Sequence, residues 1–380
     1  MKPIYLDHAA TSPLHPKALE AMMPYFSEHF GNPSSIHSFG RRTRHALDEA
    51  RLSLAQTIGA HPDELIFTSG GTEADNMAII GYALKNKAKG THIITTVIEH
   101  HAVLHTCKSL EEQGFEVTYL PVDEQGRVSL TDLKNHVREE TILVSIMYGN
   151  NEVGAVQPIA EIGAFLKEQG IAFHTDAVQA YGTIPLDVEE LSVQFLSVSA
   201  HKINGPKGTG FLYAKKGYDL KPQLFGGEQE RKRRAGTENV ASIVGFAEAA
   251  KIAMEDVQEK RQRYFQFREQ MIGIFQEEGL DFSVNGHVSD VLPHVLNISF
   301  KGVNVESLLV NLDLAGIAVS SGSACTAGSF EPSHVLSAMF KDDEKAKSSV
   351  RFSFGYGNTI EDIEKVAKET VKIVKRITAL

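Results

Sequence analysis

From Leu65 onward the chain repeats one pattern: a short apolar run, a stretch with helical spacing, then another apolar run. Leu65-Ile66-Phe67, His92-Ile93-Ile94, Val117-Thr118-Tyr119-Leu120 and Ile142-Leu143-Val144-Ser145-Ile146 read as strands. Thr72 to Lys87, His100 to Gln113 and Ile159 to Gln169 read as the helices among them. Strands joined through helices run parallel, because the helix returns the chain to the edge where the previous strand began. The pattern predicts an α/β unit with a mainly parallel sheet covered on both faces. In such sheets ligands bind where the strands end.

Two of those ends carry chemistry. The run Ile171-Ala172-Phe173-His174-Thr175 delivers Asp176, and Val193-Gln194-Phe195-Leu196-Ser197-Val198 delivers Ser199-Ala200-His201-Lys202. An amine and a carboxylate at neighbouring strand ends suit pyridoxal phosphate. The amine forms a Schiff base with the aldehyde, and the carboxylate keeps the ring nitrogen protonated so that the ring accepts electrons. A surface lysine and an unrelated aspartate would explain any single such pair, so the neighbouring residues must decide. Thr68-Ser69-Gly70-Gly71-Thr72-Glu73 follows a strand and opens a helix, where backbone N–H groups and hydroxyls make a phosphate cradle. Thr72 alone would equally serve as a helix cap. Glu99-His100-His101 lies at another strand-to-helix junction, where a residue above the cofactor ring is expected.

The chain holds two cysteines with different surroundings. Cys107 falls on the apolar side of a helical pattern and reads as a small buried hydrophobe. Cys325 sits in Ser320-Ser321-Gly322-Ser323-Ala324-Cys325-Thr326-Ala327-Gly328, with little apolar surface to pack against. An accessible thiol there is a liability unless it reacts. Neither cysteine belongs to a Cys-x-x-Cys pair, which argues against a disulfide framework, a zinc finger or a protein-held iron–sulfur cluster.

A net charge of −10 opposes direct nucleic-acid binding, which needs a basic field. No run reaches the roughly eighteen apolar residues that a membrane span requires. The amino-terminal residues lack a signal-peptide core, so a cytoplasmic location is expected. At 380 residues the chain has room for a large domain and a smaller one. Asn239 to Glu278 reads as one long helical stretch at their join, with Gly245 and Gly273 its weak points. Beyond it, strands at Val295 to Phe300 and Ser349 to Phe352 mix with helices at Val305 to Leu314 and Ile360 to Arg376. The expected division is 15–255 for the large domain, with 1–14 and 256–380 forming the smaller α+β domain. The basic run Arg231-Lys232-Arg233-Arg234 reads most simply as a solvated loop.

Together these residues resemble the cysteine desulfurases of the NifS/IscS type, within the class-V aminotransferase family. The resemblance runs from Tyr5-Leu6-Asp7-His8-Ala9-Ala10-Thr11 to Ser348-Ser349-Val350-Arg351-Phe352-Ser353. Between them, Gly31-Asn32-Pro33-Ser34-Ser35, Gly149-Asn150-Asn151-Glu152-Val153-Gly154 and Arg234-Ala235-Gly236-Thr237-Glu238-Asn239 also fit. Ser320 to Cys325 matches the subgroup whose cysteine rides on a long loop; the other subgroup's Arg-x-Gly-His-His-Cys pattern is absent from the sequence.

The resemblance implies the aspartate-aminotransferase-like fold of pyridoxal-phosphate-dependent transferases. It assigns Lys202 to the cofactor aldehyde, Asp176 to the ring nitrogen, Gln179 to the ring hydroxyl and His100 to the ring face. Gly71, Thr72, Ser199 and His201 would bind the phosphate, with Thr237 reaching the partner's phosphate in a homodimer. Asn151 and Arg351 would hold the carboxylate of L-cysteine, and Cys325 would be the nucleophile, with His100 moving thiol protons. Catalysis would leave L-alanine and a Cys325 persulfide, passed to an acceptor protein for tRNA thiolation or iron–sulfur cluster assembly. The short tail after Arg376 tilts that expectation towards tRNA thiolation. The segment 320–329 is expected to swing between pocket and acceptor. The alternatives are a selenocysteine lyase, another transaminase of the same fold, and a non-catalytic interaction platform.

Overall fold

The computed structural model describes residues 3–287, 289–322, 333–340 and 343–379. After a short strand β1 (Ile4–Tyr5), the chain builds a large sheet. Its strands are β2 (Leu65–Thr68), β3 (His92–Thr96), β4 (Glu116–Leu120), β5 (Thr141–Ser145), β6 (Ala172–Asp176), β7 (Phe195–Ser199) and β8 (Gly210–Ala214). Their order is β2-β8-β7-β6-β5-β3-β4. The run β7-β6-β5-β3-β4 is parallel throughout, and β8 lies antiparallel to both β7 and β2. Most of these strands are buried along their whole length, as expected for a sheet with both faces covered. On one side lies a cluster containing Leu54, Phe173, Leu196, Phe211 and Phe246; another contains Met77, Val103, Cys107, Leu143 and Phe195.

The remaining strands are β9 (Phe282–Asn285), β10 (Val295–Phe300), β11 (Ile317–Ala318) and β12 (Ser349–Ser353). The first two and β12 form an antiparallel sheet ordered β12-β10-β9, while β11 pairs parallel with β1. A separate apolar cluster lies here, built from Leu6, Phe275, Ile298, Phe352 and Val371 among others. Residues from both ends of the chain therefore share one core.

The stretch after Asn239 is two helices, Val240–Glu255 and Val257–Glu277, rather than one. The break is at Asp256, with φ −130° and ψ 35°, and not at either glycine. Gly245 has a packing reason instead. A Cβ there would lie 2.4 Å from Cγ of Met22, so its absence lets the helix Pro16–Met22 approach closely.

The basic run differs from a solvated loop. Arg231 pairs with Asp63, Arg233 donates to the Leu65 carbonyl at 3.1 Å, and Arg234 grips Glu73 at 2.7 and 3.1 Å. Beside it Glu230 is buried against Arg51, with contacts of 2.8 and 2.6 Å. Glu230, Arg231 and Lys232 all hold positive φ, a left-handed geometry that costs on the order of 1–3 kcal/mol per non-glycine residue. The surrounding ion pairs hold the turn in place.

Candidate active site

The helix Gly71–Asn86 begins one turn beyond the end of β2, and its N-cap, Gly70, offers no capping side chain. The first N–H groups of a helix have no partner within it, so this start is an unfilled set of donors. A Cβ on Gly71 would stand 2.7 Å from Cγ2 of Val178 and 3.8 Å from Cβ of Ser199, so glycine keeps the approach open. Asp176 ends β6, Ser199 ends β7, and Lys202 closes the turn Ala200–Lys202 just after it.

Around these ends lies a cavity of about 220 Å³. Gly71, Thr72, His100, Asn151, Asp176, Gln179, Ser199, His201, Lys202 and Arg351 all line it. The fold thus brings every site residue named above to one place except Thr237 and Cys325. Thr237 is exposed, on a loop tied back by Arg234 to Glu73 and by Glu238 to Arg44. Cys325 lies outside the described residues, as does most of the 320–329 segment. The residues flanking the undescribed stretch 323–332 meet at Glu152. A Cβ on Gly322 would be 3.1 Å from its Oε2, and the Ser333 hydroxyl donates to the same oxygen.

Lys202 Nζ donates to the Ala9 carbonyl at 2.6 Å and the Ala10 carbonyl at 2.8 Å. The Ala9 carbonyl also accepts from Gln179 Nε2 at 2.9 Å, and Gln179 Oε1 lies 3.2 Å from His294 Nε2. Thr11 Oγ1 lies 3.0 Å from His201 Nδ1. His100 caps the helix His101–Glu111, its Nδ1 accepting from Ala102 N at 3.1 Å. The ring proton of the neutral form is therefore on Nε2. Burial, then the Lys202 ammonium, holds His100 down to about 4.

Asp176 is buried beneath the cavity and receives Val178 N at 2.9 Å. Burial, and then neighbouring Asp75, push its carboxyl up to about 7. Asp75 is itself pushed up to about 7 by burial, and its Oδ1 has no hydrogen-bond partner among the described residues. Two residues before Asp176, His174 is held by Ser145 Oγ at 2.8 Å and Ser197 Oγ at 3.0 Å. Its ring stands 3.5 Å from Asp75 and is held down to about 4 by burial, so it brings no charge. Lys202 only partly offsets this burial, so the two buried carboxyls favour a cationic guest.

Arg351, on β12, has a side chain only 1 % exposed. Its Nη2 meets Asp7 Oδ1 at 2.8 Å and its Nη1 the Asn151 carbonyl at 3.0 Å, while buried Nε has no partner among the described residues. The cavity therefore offers an amine, a carboxyl, an anion cradle and a guanidinium donor. Asp75, His174, His294 and Asp7 were missed by sequence reasoning. Asp7 alone had a signal, as part of the Tyr5 to Thr11 motif.

The class-V aminotransferase family model matches residues 4–366. A Bacillus subtilis (strain 168) protein named as a candidate cysteine desulfurase, IscS 1, is 60% identical, with 100% of each chain covered. Cysteine desulfurase IscS of Methanosarcina thermophila is 49% identical over 99% of this chain and 93% of its own. Among solved structures, a NifS-like protein superposes with a TM-score of 0.92 at 37% identity, covering 100% of both chains. With its carboxyl, amine and guanidinium gathered in one cavity and these likenesses spanning its length, the chain belongs to the class-V aminotransferase family, in its NifS/IscS-type branch.

Proposed function

We propose that this chain is a cysteine desulfurase that uses pyridoxal phosphate, releases L-alanine and holds the sulfur as a persulfide on Cys325. The observation that carries the reading is the meeting of Lys202, Asp176 and Arg351 in one cavity beside an uncapped helix start. The pocket suits the cofactor on its own chemistry: Gly71 leaves room at the cradle, and buried Asp176 is held up to about 7 despite the nearby Lys202 ammonium, so a cation brought against it would be favoured. Bound there, the cofactor supplies an aldehyde that condenses with amines and a cationic ring that accepts the electron pair left at the substrate's Cα.

Lys202 is the amine that would carry it, with Asp176 at the ring nitrogen, Gln179 at the ring hydroxyl and His100 against the ring. Gly71, Thr72, Ser199 and His201 would hold the phosphate. Displaced by the substrate amine, Lys202 has the Ala9 and Ala10 carbonyls within hydrogen-bond distance, and its neutral amine takes the Cα proton. Arg351 and Asn151 hold the substrate carboxylate, a charge-assisted contact of about 1.5–3 kcal/mol. A free thiol with a pKa of about 8.5 is little ionised at neutral pH, so Cys325 needs a proton acceptor. We assign that proton transfer to His100, which accepts at Nδ1 once the Ala102 N–H that occupies it is released. The Cys325 thiolate attacks the substrate sulfur and the C–S bond breaks; the carbon left behind takes up protons and departs as alanine.

The same reading divides the chain at 15–255 and at 1–14 with 256–380; the cluster joining Leu6 to Phe352 and Val371 supports it. It also makes the protein a homodimer, in which exposed Thr237 completes the partner's phosphate site. The acceptor is a cytoplasmic protein thiol, on a tRNA-thiolating enzyme or an iron–sulfur scaffold, and following labelled sulfur to each distinguishes them. Among the described residues no helix is long and apolar enough to cross a membrane.

The test is incubation with L-cysteine and a reductant, measuring alanine and sulfide together. Equal release of both is expected from the wild-type protein. Lys202→Ala should release neither and lose the visible absorbance of the lysine-bound cofactor. Sustained turnover by that variant would overturn the reading.

A further inference from the structure

A guanidinium has donors only, so a buried arginine must be met by fixed acceptors. Arg351 has two: the Asn151 carbonyl on Nη1 and Asp7 Oδ1 on Nη2. The carboxylate comes from 344 positions away in sequence, and the backbone around it is unusually well fixed. A parallel bridge sets Asp7 beside Ser353, two residues past Arg351 on the same strand. Ser353 N donates to the Leu6 carbonyl at 2.7 Å, and His8 N to the Ser353 carbonyl at 3.3 Å. The Asp7 carbonyl receives Ala10 N at 3.0 Å and the Tyr5 hydroxyl at 3.0 Å. The N-terminal strap is thus fastened to the strand that carries Arg351, and its side chain grips one edge of the guanidinium. Buried Nε, at another edge of a residue that lines the cavity, has no partner among the described residues.

We infer that Asp7 is a positioning residue for substrate recognition. By holding Nη2 it fixes the guanidinium plane at two points, so that the Nε–H stays turned to the α-carboxylate of the substrate. With Asp7 gone, the Asn151 carbonyl is the single remaining acceptor among the described residues, and the plane can pivot about it. The inference rests on the reading of the cavity as a site for L-cysteine. A purely structural role, neutralising a buried cation, would instead lower stability and damage turnover of every substrate alike.

The test compares wild type, Asp7→Ala and Asp7→Asn as cofactor-loaded proteins, with L-cysteine and with cysteamine, which lacks the carboxylate. Asp7→Ala should raise KM for L-cysteine by about tenfold with kcat within about threefold, the signature of lost binding rather than lost chemistry. Cysteamine kinetics should be unmoved by the substitution. Asp7→Asn, which keeps an acceptor oxygen in the same place, should recover most of the loss. A binding readout independent of turnover is the change in cofactor absorbance on titration with L-alanine, whose Kd should rise in parallel. Wild-type protein inert towards L-cysteine would sink the functional reading itself. Active wild type with unchanged KM in Asp7→Ala, or an equal loss on cysteamine, would sink this inference alone. Failure of both variants to fold or keep cofactor would also overturn it, leaving Asp7 structural.

Discussion

The two cysteines separate at the level of single side chains. Cys107 is fully buried in an apolar cluster, and burial pushes its thiol up to about 12, so it cannot supply a thiolate at neutral pH. Cys107→Ser should therefore leave sulfide release within about twofold, while burying a new hydroxyl costs about 1–3 kcal/mol if it finds no partner. Cys325→Ser should bind cofactor and L-cysteine but release no sulfide. Rates and melting temperatures of the two variants check this, and an inactive Cys107→Ser beside an active Cys325→Ser would reverse the assignment. Residue types at strand ends were readable in advance, because Asp176, Ser199 and Lys202 follow recognisable apolar runs. Asp7 and His294 were not. Their roles depend on contacts with Arg351 and Gln179 that only tertiary folding creates; the Tyr5 to Thr11 motif marked the place of Asp7 but not its partner, and nothing local marked His294.

At the level of elements, the alternation of apolar and helical stretches was enough for the parallel sheet, since burial on both faces leaves continuous apolar runs. It could not show the break at Asp256, where no glycine or proline marks the end of a helix. Nor could it show the left-handed turn at Glu230 to Lys232, which the buried Glu230–Arg51 pair holds against the preference of its residues. The start of the helix Gly71–Asn86 yields a sharper expectation. In Gly71→Ala the new methyl meets Val178 at 2.7 Å and narrows the cradle beside Ser199. Pyridoxal phosphate should bind about ten- to a hundredfold more weakly, equivalent to roughly 1.4–2.8 kcal/mol. Equilibrium dialysis of the cofactor measures it. Unchanged affinity would place the phosphate elsewhere.

For the molecule as a whole, buried ionisable groups set a pH profile. His8, His100, His174 and His201 are held down to about 4 and His294 to about 3, burial being the first cause in each. Below roughly pH 6.5 the unfolded chain binds protons that these rings refuse, so acid destabilises the fold. Glu99 is pushed up to about 8, and Asp75 and Asp176 to about 7, again chiefly by burial. They retain protons that the unfolded chain has already released, so they cost stability as pH rises towards about 8. The cofactor-free protein should melt highest near roughly pH 6.5, and pyridoxal phosphate should raise the melting temperature more at about pH 8, where a ring cation favours ionised Asp176. A cofactor-free melting temperature that climbs from pH 6.5 to 8 would contradict this.

Association is the other whole-molecule expectation. Phe30, Ile36 and Phe39 are exposed at 66, 91 and 52 %. Arg44 joins their segment to the Thr237 loop by contacting the Pro33 carbonyl and Glu238. Ile36→Glu should shift sedimentation towards monomer and loosen cofactor retention together; a shift in one without the other would separate Thr237 from the interface.

The strap that runs from Asp7 to Thr11 has a consequence for biogenesis. The acceptors for the Lys202 amine precede the strand that fastens them by 344 positions, counted from Ala9 to Ser353. A ribosome-bound chain released as far as the large sheet can pair its strands and hold the strap through Gln179 and His201, but it lacks the clamp from β12. Closing so long a loop is slow by its entropy. Capture of cofactor by this protein should thus be a late, post-translational event, and a chain cut before Arg351 should fold its sheet without becoming competent to hold the cofactor in working order.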